Sequence, residues 1–340
     1  MDSVNWCDIS GSWDSPGRSE MTYVDLFCGA GGLSKGLEMA GLEGVCGLDF
    51  FKEASDTYRR NFTHPVVYGD ITDETVKSEF YRCVEERLGG RKLNVVVGGF
   101  PCQGFSNAGK RIAEDPRNVL YKEMVDVVRH LLPDFVVCEN VKGLRSMLGG
   151  EVEKKILSDF SEIGYEMNVT VLNAADYYVP QTRERVIFIG NRIGVKNYHP
   201  SPLLTQGTWK TTGEAIGDLM DRCDDPGFNH VTSRHTDEMK ARILAVKEGE
   251  SLYEKYSESW RKCPWDKPSC TVKENHGGTN LHPKLPRVIT AREMARLQSF
   301  PDDFIFEGPK NKQLTQIGNA VPPLLAKAIG LSLRRSVGEI

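Results

Sequence analysis

The sequence predicts an α/β protein: a doubly wound sheet over residues 21–192, followed by a smaller irregular region. Short runs rich in β-branched residues alternate with helix-like segments. These runs are apolar throughout, which is typical of strands covered on both faces and joined by parallel, right-handed crossovers. After Gly190 the alternation stops, and Pro, Gly, Trp and charged residues become frequent until about residue 285.

The elements follow in chain order. The predicted strands are TYVDLF, GVCGLD, a short run ending in Gly69-Asp70, LNVVVGG, DFVVCEN and RVIFIG. The predicted helices span residues 33–40, 72–88, 119–131, 151–163, 291–298 and 324–335. The last helix follows VPP, and prolines suit a first helical turn because their missing N–H is not needed there. Residues 1–20 have no periodicity and are predicted to form a mobile tail, with order beginning at Met21.

The composition is that of an ordinary globular protein, with 39% hydrophobic and 26% charged residues among 340. No apolar run approaches the roughly 18 residues that span a bilayer, and no signal-peptide pattern begins the chain. We therefore expect an intracellular soluble protein without a membrane partner. The nine cysteines are scattered and never spaced C-x-x-C, which argues against a disulfide framework and a zinc site, so no metal is expected.

The net charge of −4 hides an asymmetry along the chain. Residues 1–180 carry 19 basic and 28 acidic side chains, whereas residues 181–300 carry 19 and 15. The locally basic middle third permits a polyanionic partner.

Glycines and acids follow the first three strands. The segment DLFCGAGGLSKGL, from Asp25 to Leu37, allows close approach of the backbone to a ligand, but Ser34 breaks the dinucleotide pattern G-x-G-x-x-G. A nucleotide-like ligand and a tight strand-to-helix turn both remain open for this segment alone. Asp49 lies where doubly wound folds hold ribose hydroxyls, Phe50 could cover an adenine, and Asp70 ends the third run. Each acid could be a solvated turn residue, but together they favour a nucleoside-binding cleft.

Cys102 follows the fourth strand within VVVGGFPCQGFSNAGKR. Pro101 restricts the backbone before the thiol, and Lys110 and Arg111 could favour the nucleophilic thiolate. A buried structural cysteine is the alternative, but the position of Cys102 after a strand, in a segment with several glycines, favours a nucleophile.

Glu139 ends the fifth strand, at the same sheet edge as Cys102, and could donate or accept a proton or cap a helix. Arg183 and Arg185 alternate on entering a strand, so we expect them on one face, where they would bind a developing negative charge or a phosphate, or remain solvated.

Taken together, these segments resemble those of the DNA (cytosine-5) methyltransferase family. The matching motifs are DLFCGAGGLSKGL, GGFPCQGFS, DPRN at 115–118, ENV at 139–141, QTRER at 181–185, RVITAREMARLQSFPDDF at 287–304 and QIGNAVPP at 316–323. They stand in the family's order and cover the chain except for the tail and parts of 193–262. The resemblance implies a Rossmann-like S-adenosylmethionine-dependent methyltransferase fold with a smaller irregular target-recognition domain.

The resemblance also implies S-adenosylmethionine as the cofactor, whose lack of phosphates agrees with the departure from G-x-G-x-x-G. It would place the ribose on Asp49 and the adenine by Phe50 and Asp70. The implied cofactor-binding residues are Asp25, Phe27, Gly29, Ala30, Gly31, Gly32, Asp49, Phe50, Asp70, Ile71, Pro101, Asn319, Ala320 and Val321.

The implied reaction acts on a cytosine flipped out of duplex DNA. Cys102 would add to ring carbon 6, Glu139 would hold or protonate ring nitrogen 3, and Arg183 and Arg185 would contact the flipped nucleotide. The implied DNA-binding residues are Gln103, Ser106, Lys110, Arg111, Arg117 and Gln181.

The predicted domains are a tail at 1–20, a catalytic and cofactor-binding domain at 21–192 plus 310–340, and a target-recognition domain with hinge at 193–309. We expect a monomer on DNA that acts as the modification half of a restriction–modification pair, with any cognate endonuclease acting separately. It would be cytoplasmic and nucleoid-associated in a prokaryote, or nuclear in a eukaryote.

Two departures from the family pattern and three alternatives remain. Asp49 stands where the family more often has Glu, and the recognition region is short, which predicts a short or loosely defined target. A tRNA methyltransferase of the same family would typically carry Cys-Phe-Thr, which this sequence lacks. A regulator without catalysis would usually lack Cys102 or the cofactor motif, and a dehydrogenase would need the pyrophosphate glycines.

Overall fold

A computed structural model of the chain describes residues 17–101, 119–253, 260–273 and 279–340. The strands are β1 (Thr22–Leu26), β2 (Glu43–Asp49), β3 (Val66–Tyr68), β4 (Val95–Gly98), β5 (Phe135–Val141), β6 (Glu166–Asn173) and β7 (Glu184–Asn191). The helices are α1 (Gly32–Met39), α2 (Lys52–Asn61), α3 (Glu74–Leu88), α4 (Val119–Leu131), α5 (Glu151–Glu162), α6 (Thr212–Ile216), α7 (Asp237–Ala245), α8 (Ala291–Leu297), α9 (Lys310–Asn319) and α10 (Pro323–Ser336).

Within the described residues, seven strands form one sheet in the order β3-β2-β1-β4-β5-β7-β6. β1 pairs in parallel with β2 and β4, β2 with β3, and β4 with β5. The order steps outward in both directions from β1 and β4, as in a doubly wound sheet. The predicted fold class is therefore confirmed.

The orientation of β7 corrects one expectation, because this strand, predicted as RVIFIG, runs antiparallel to β5 rather than parallel. β6 precedes it and was not predicted, since its sequence EMNVTVLN is only partly buried and resembles no continuous apolar run. A 3₁₀ segment, Ala174–Tyr177, lies between β6 and β7 instead of a crossover helix. A strand that enters the sheet without a helical crossover is not required to run parallel to its neighbours.

The described chain divides into two compact units. The sheet unit comprises residues 17–172, Glu184–Ser201 and Ala326–Ile340, and the loop-rich unit comprises Asn173–Arg183 and Pro202–Leu325. These ranges differ from the predicted domains, which were drawn by function. Residues 310–325 were predicted to belong to the catalytic domain but group with the loop-rich unit.

The core of the sheet unit explains the uninterrupted apolar runs. Val95, Val96 and Val97 in β4 are fully buried, as are Val136 and Val137 in β5. Successive residues of a strand point to opposite faces, so burial at every position means that both faces are covered.

The two ends of the described chain pack on α1 and the loop that follows it. Ser19 N–H donates to the Gly41 carbonyl at 2.9 Å, and the Ser19 hydroxyl donates to Glu339 at 3.1 Å. Arg334 in α10 donates to the Ala40 carbonyl at 2.8 Å. The predicted tail boundary is thus too late, because Ser19 is already anchored; residues 1–16 lie outside the described residues.

The loop-rich unit is organised around α8, whose charged side chains are buried. Glu293 is fully buried and receives two 2.7 Å hydrogen bonds from Arg287. Arg292, also fully buried, donates to the carbonyls of Phe228, Pro301 and Phe304. Buried ions are tolerated when every donor has a partner, so these charged residues of RVITAREMARLQSFPDDF hold the unit together.

Among the described helices, none is long and apolar enough to cross a membrane.

Candidate active site

The loop after β1 turns through left-handed backbone conformations. Phe27, Gly29 and Gly31 have φ of 57°, 54° and 93°. A Cβ on Gly31 would collide with the ring of Phe62 and approach Tyr58, whereas Gly29 faces open space. A glycine is required at position 31 by both conformation and space. The predicted close turn between strand and helix is confirmed.

Asp49 ties this loop to the end of β2. Its Oδ2 accepts from Gly29 N–H at 2.8 Å and its Oδ1 accepts from Phe51 N–H at 2.7 Å. Burial raises the pKa of Asp49, and the backbone donors at Phe51 and Gly29 oppose that rise. Asp49 is 7% exposed, and the two backbone hydrogen bonds fix the orientation of its carboxylate beside the loop.

Phe50, next to Asp49, has 66% of its surface exposed. An aromatic side chain with this exposure at a strand end is available to stack on a planar ligand. Asp70 is exposed and accepts from the Thr72 N–H at 2.9 Å, and Ile71 beside it is buried.

These residues fit a nucleoside cofactor that carries no phosphate. The exposed ring of Phe50 offers a face for a base, and Asp49 and Asp70 offer acceptors for hydroxyl and amino groups. Asp49 ends β2 and Asp70 follows β3, and two such acids would repel phosphate oxygens. This combination of acceptors and an exposed aromatic ring therefore suits S-adenosylmethionine.

Asp25 was also predicted to bind the cofactor, but its carboxylate is directed into the protein. It is 1% exposed, and its Oδ2 accepts from the hydroxyl of Ser34 at 2.6 Å. Ala30 and Gly32 are buried with it. Asp25 thus lies beneath the glycine-rich loop, which comprises residues 27–31.

At the end of β5, Glu139 forms an ion pair with Arg185 of β7. Arg185 Nε lies 2.8 Å from Glu139 Oε1, and the side chains are 13% and 12% exposed. A Cβ on Gly99 would lie 3.1 Å from Glu139 Oε2, so the glycine after β4 leaves room for the carboxylate. The predicted acid and one predicted arginine are therefore brought together at this edge.

Asn140 is a site residue that the sequence patterns did not single out. Its Nδ2 donates to the Phe100 carbonyl at 2.9 Å, and it is 4% exposed. This bond joins the end of β5 to the segment leading into Pro101, which is partly exposed. Its position in ENV, directly after the predicted acid, was the available signal.

Arg183 and Gln181 are buried and hydrogen-bonded within the protein. Arg183 is 3% exposed and donates to the carbonyls of Gly318 and Ala320 at 3.0 and 3.2 Å. Gln181 has no exposed surface; its amide donates to Gln298 and accepts from Val272 N–H. Arg183 and Arg185 therefore have separate partners, and the predicted contacts of both arginines with a nucleotide and of Gln181 with DNA stay predictions.

The remaining predicted residues divide into two groups. Asn319 is the last residue of α9 and is exposed, and Ala320 and the buried Val321 lie between α9 and α10. The residues outside the described part of the chain are Cys102, Gln103, Ser106, Lys110, Arg111 and Arg117.

The strand order and the helices between the strands define a Rossmann-like α/β protein. The family model described as C-5 cytosine-specific DNA methylase matches residues 21–335. The chain therefore belongs to the C-5 cytosine-specific DNA methylase family.

Individual relatives agree with this assignment. The chain is 40% identical over 325 residues to the Type II methyltransferase M1.HphI of Haemophilus parahaemolyticus, covering 91% of this chain and 85% of that protein. It is 34% identical over 369 residues to the Type II methyltransferase M.DdeI of Desulfomicrobium norvegicum, covering 91% and 87%.

Solved structures give the same fold. A protein described as a DNA modification methyltransferase encoded within an E. coli prophage has a TM-score of 0.74 at 25% identity, covering 94% of this chain and 99% of that chain. The Entamoeba histolytica methyltransferase EhMeth has a TM-score of 0.66 at 17% identity, covering 94% and 99%, and shows the fold alone.

Proposed function

We propose that this methylase transfers a methyl group to carbon 5 of a flipped-out cytosine in duplex DNA through a covalent adduct at Cys102. The observation that carries the proposal is the Glu139–Arg185 pair, held at the sheet edge beside the segment that leads into Cys102. An acid and a thiol are the two groups that this covalent chemistry requires, and Glu139 is the acid.

S-adenosylmethionine would be held by the mouth of the glycine-rich loop. When bound, it supplies a methyl group activated by a sulfonium centre. Asp49 would bind the ribose hydroxyls, Phe50 would cover the adenine, and Asp70 would accept from the base. The exposed ring of Phe50 and the fixed carboxylate of Asp49 support these roles.

The chain's own residues would activate the cytosine. The Cys102 thiolate forms a bond from Sγ to carbon 6, and the electron pair displaced toward carbon 5 makes that carbon nucleophilic. Glu139 holds the proton at ring nitrogen 3, which stabilises the adduct. After methylation, water acting as a base takes the proton from carbon 5, the electron pair of that C–H bond re-forms the C5–C6 double bond, and the C6–Sγ bond breaks to release the thiolate. Arg185 acts as a positioning residue, because its ion pair orients Glu139.

DNA would be bound by residues after Cys102 and by the irregular region. Lys110, Arg111 and Arg117 suit phosphate contacts, and Gln103 and Ser106 suit the space left by the flipped base. Residues 193–309 would recognise the target sequence, and 21–192 with 310–340 would carry catalysis. Arg183 would support the site structurally, in view of its carbonyl partners.

The biological setting follows from the relatives. Type II methyltransferases of bacteria cover most of the chain, so we propose the modification half of a restriction–modification pair, acting in a prokaryotic cytoplasm on nucleoid DNA. The protein would act as a monomer, and a cognate endonuclease would act separately.

A labelling experiment tests the function. The wild type, Cys102→Ser and the control Cys83→Ser are incubated with methyl-labelled S-adenosylmethionine and either duplex DNA or tRNA. Cys83 lies on α3, which carries no predicted site residue. We expect label in DNA from the wild type and the control alone. Label in tRNA only would contradict the DNA substrate, and label persisting with Cys102→Ser would contradict the nucleophile.

The covalent step has its own test. Duplex DNA containing 5-fluorocytosine has no carbon-5 proton to release, so the adduct should accumulate. We expect a denaturation-resistant complex of the wild type and Cys83→Ser, with the cross-link mapped to Cys102. A cross-link at any other residue, or none, would contradict the mechanism.

A further inference from the structure

We propose that Tyr58 and His64 are positioning residues for the glycine-rich loop, acting through a one-directional hydrogen-bond chain that ends on the buried Asp25 carboxylate. The inference deepens the proposed function and rests on it, because the loop is taken as the cofactor site.

The chain is continuous within the sheet unit. The Ser34 hydroxyl lies 2.6 Å from Asp25 Oδ2 and 2.7 Å from Tyr58 Oη. Tyr58 Oη lies 2.7 Å from His64 Nε2, and His64 Nδ1 lies 3.5 Å from Glu38 Oε1. Asp25, Ser34, Tyr58 and His64 are each at most 3% exposed, so water does not compete for these bonds.

The number of protons on each group determines the direction of the bonds. An ionised Asp25 only accepts, so the single Ser34 proton is donated to it. Ser34 Oγ must then accept from Tyr58, and Tyr58 Oη must accept from His64 Nε2–H. The imidazole therefore carries its proton on Nε2, with Nδ1 facing Glu38. Every donor points toward Asp25, and such aligned chains strengthen each bond in turn.

Tyr58 also contacts the loop directly. A Cβ on Gly31 would lie 3.0 Å from a ring carbon of Tyr58, and one on Gly47 would lie 3.0 Å from Tyr58 Cζ. Ser34 sits in the first turn of α1, which starts where the loop ends. Tyr58 thus packs against Gly31 of the loop while its hydroxyl, through Ser34, connects α1 to β1.

The charge of Asp25 is finely balanced. Burial raises its pKa to about 7; the hydrogen bond from Ser34 opposes the rise and the charge of Asp49 adds to it. The other titratable groups that interact with it are Tyr23, Tyr58 and the Cys28 thiol, all with pKa values raised by burial. Protonation of Asp25 would turn the bond to Ser34 around and disconnect the chain.

The far end of the chain can exchange protons with solvent. His64 and Glu38 line a surface cavity of about 580 Å³ at the amino-terminal end of β2. Burial lowers the pKa of His64 to about 4, and Arg87 adds to that effect. Burial raises the pKa of Glu38 to about 6. A neutral imidazole, as the direction of the chain requires, is therefore the stable form near neutral pH.

The first test follows Asp25 without any ligand. The full-length wild type and Tyr58→Phe, labelled with ¹³C at aspartate carboxyl carbons, are titrated by NMR, with Asp25→Asn identifying the signal. Loss of the Tyr58 hydroxyl weakens the bond that Ser34 donates, so the midpoint of Asp25 should rise by about 0.5–1 pH unit. The control Tyr165→Phe removes another buried hydroxyl, which donates to the Pro133 carbonyl at 2.6 Å, and should leave the midpoint unchanged.

The second test measures cofactor affinity by calorimetry with S-adenosylmethionine from pH 5.5 to 9. Because protonated Asp25 disconnects the chain, the Kd should rise as the pH falls through the Asp25 midpoint. In Tyr58→Phe this rise should occur at a higher pH, and the Kd at pH 7 should increase about threefold to tenfold. Turnover at saturating cofactor should change less than twofold. His64→Leu should shift the pH dependence of the Kd in the same direction. It replaces Tyr58→Phe as the test variant if Tyr58→Phe does not fold.

The outcomes separate the two proposals. An unchanged Asp25 midpoint in Tyr58→Phe, or an equal change in Tyr165→Phe, overturns the positioning role whatever the cofactor does. A wild type that binds no S-adenosylmethionine overturns the proposed function, and the NMR titration still decides the hydrogen-bond chain.

Discussion

Arg185 of β7 donates from Nε to Glu139 Oε1 of β5 across 2.8 Å, and both side chains are almost buried. The antiparallel pairing of β5 with β7 makes this contact possible, because it places Arg185 opposite Val141, two residues beyond Glu139. An arginine that holds a carboxylate in one orientation suits a carboxyl group that must handle a proton at a fixed atom.

Removal of Arg185 should reduce catalysis more than binding. In Arg185→Ala the Glu139 carboxylate loses its orienting partner, and we expect kcat to fall about 100-fold or more. The control Lys142→Ala breaks the exposed 2.9 Å pair between Lys142, directly after β5, and Glu184 of β7 and should change kcat less than about twofold. Steady-state methylation of duplex DNA measures both; equal losses would contradict a specific role for Arg185.

Phe50→Ala should affect the cofactor and leave the fold intact. The ring is 66% exposed, so its removal creates no cavity, and thermal stability should change by less than about 0.5 kcal/mol. The Kd for S-adenosylmethionine should rise about tenfold through loss of stacking, and Phe50→Trp should retain affinity. Leu132→Ala, at another exposed apolar side chain, is the control; a Kd unchanged in Phe50→Ala would remove the ring from the site.

Two glycines of the loop should respond differently to substitution. Gly31→Ala forces a Cβ into Phe62 at φ 93°, and we expect a loss of about 2–4 kcal/mol. Gly29→Ala meets open space at φ 54° and should lose only about 1 kcal/mol. Urea denaturation measures both values. Equal losses would show that space at Gly31 is not limiting.

The stability of the protein should decrease as Asp25 ionises. Burial raises the pKa of Asp25 from 3.8 to about 7, so between these values the folded chain keeps a proton that the unfolded chain has lost. The free energy of unfolding therefore falls as pH rises through this window. The asparagine in Asp25→Asn cannot titrate. Between pH 4 and pH 8 the free energy of unfolding of the wild type should therefore fall by up to about 4 kcal/mol relative to that of Asp25→Asn.

Urea denaturation at several pH values follows this difference. Asp56→Asn, at an exposed acid on α2 that pairs with Lys52, should not reproduce it. Parallel stability curves for the wild type and Asp25→Asn would mean that Asp25 does not titrate in this range.

Much of the fold was predictable because β4 and the first four residues of β5 form uninterrupted buried apolar runs, which occur when both faces of a sheet are covered. β6 was missed because it is only partly buried, and α2 because its sequence KEASDTYRRN has few apolar residues to mark a helical face. The predicted roles of Cys102 and the residues that follow it stay predictions.

The sequence by itself determined the parallel strands β1 to β5 and the position of Asp49 and Glu139 at their carboxyl ends, since local periodicity and chain order carry that information. Only the tertiary structure decided which side chains meet. Arg185 pairs with Glu139 while Arg183, two residues earlier, donates to backbone carbonyls more than 130 residues away in the chain. The carboxylate of Asp25 faces Ser34 instead of solvent. Such partners depend on side-chain directions and packing between distant segments, which local sequence patterns do not encode.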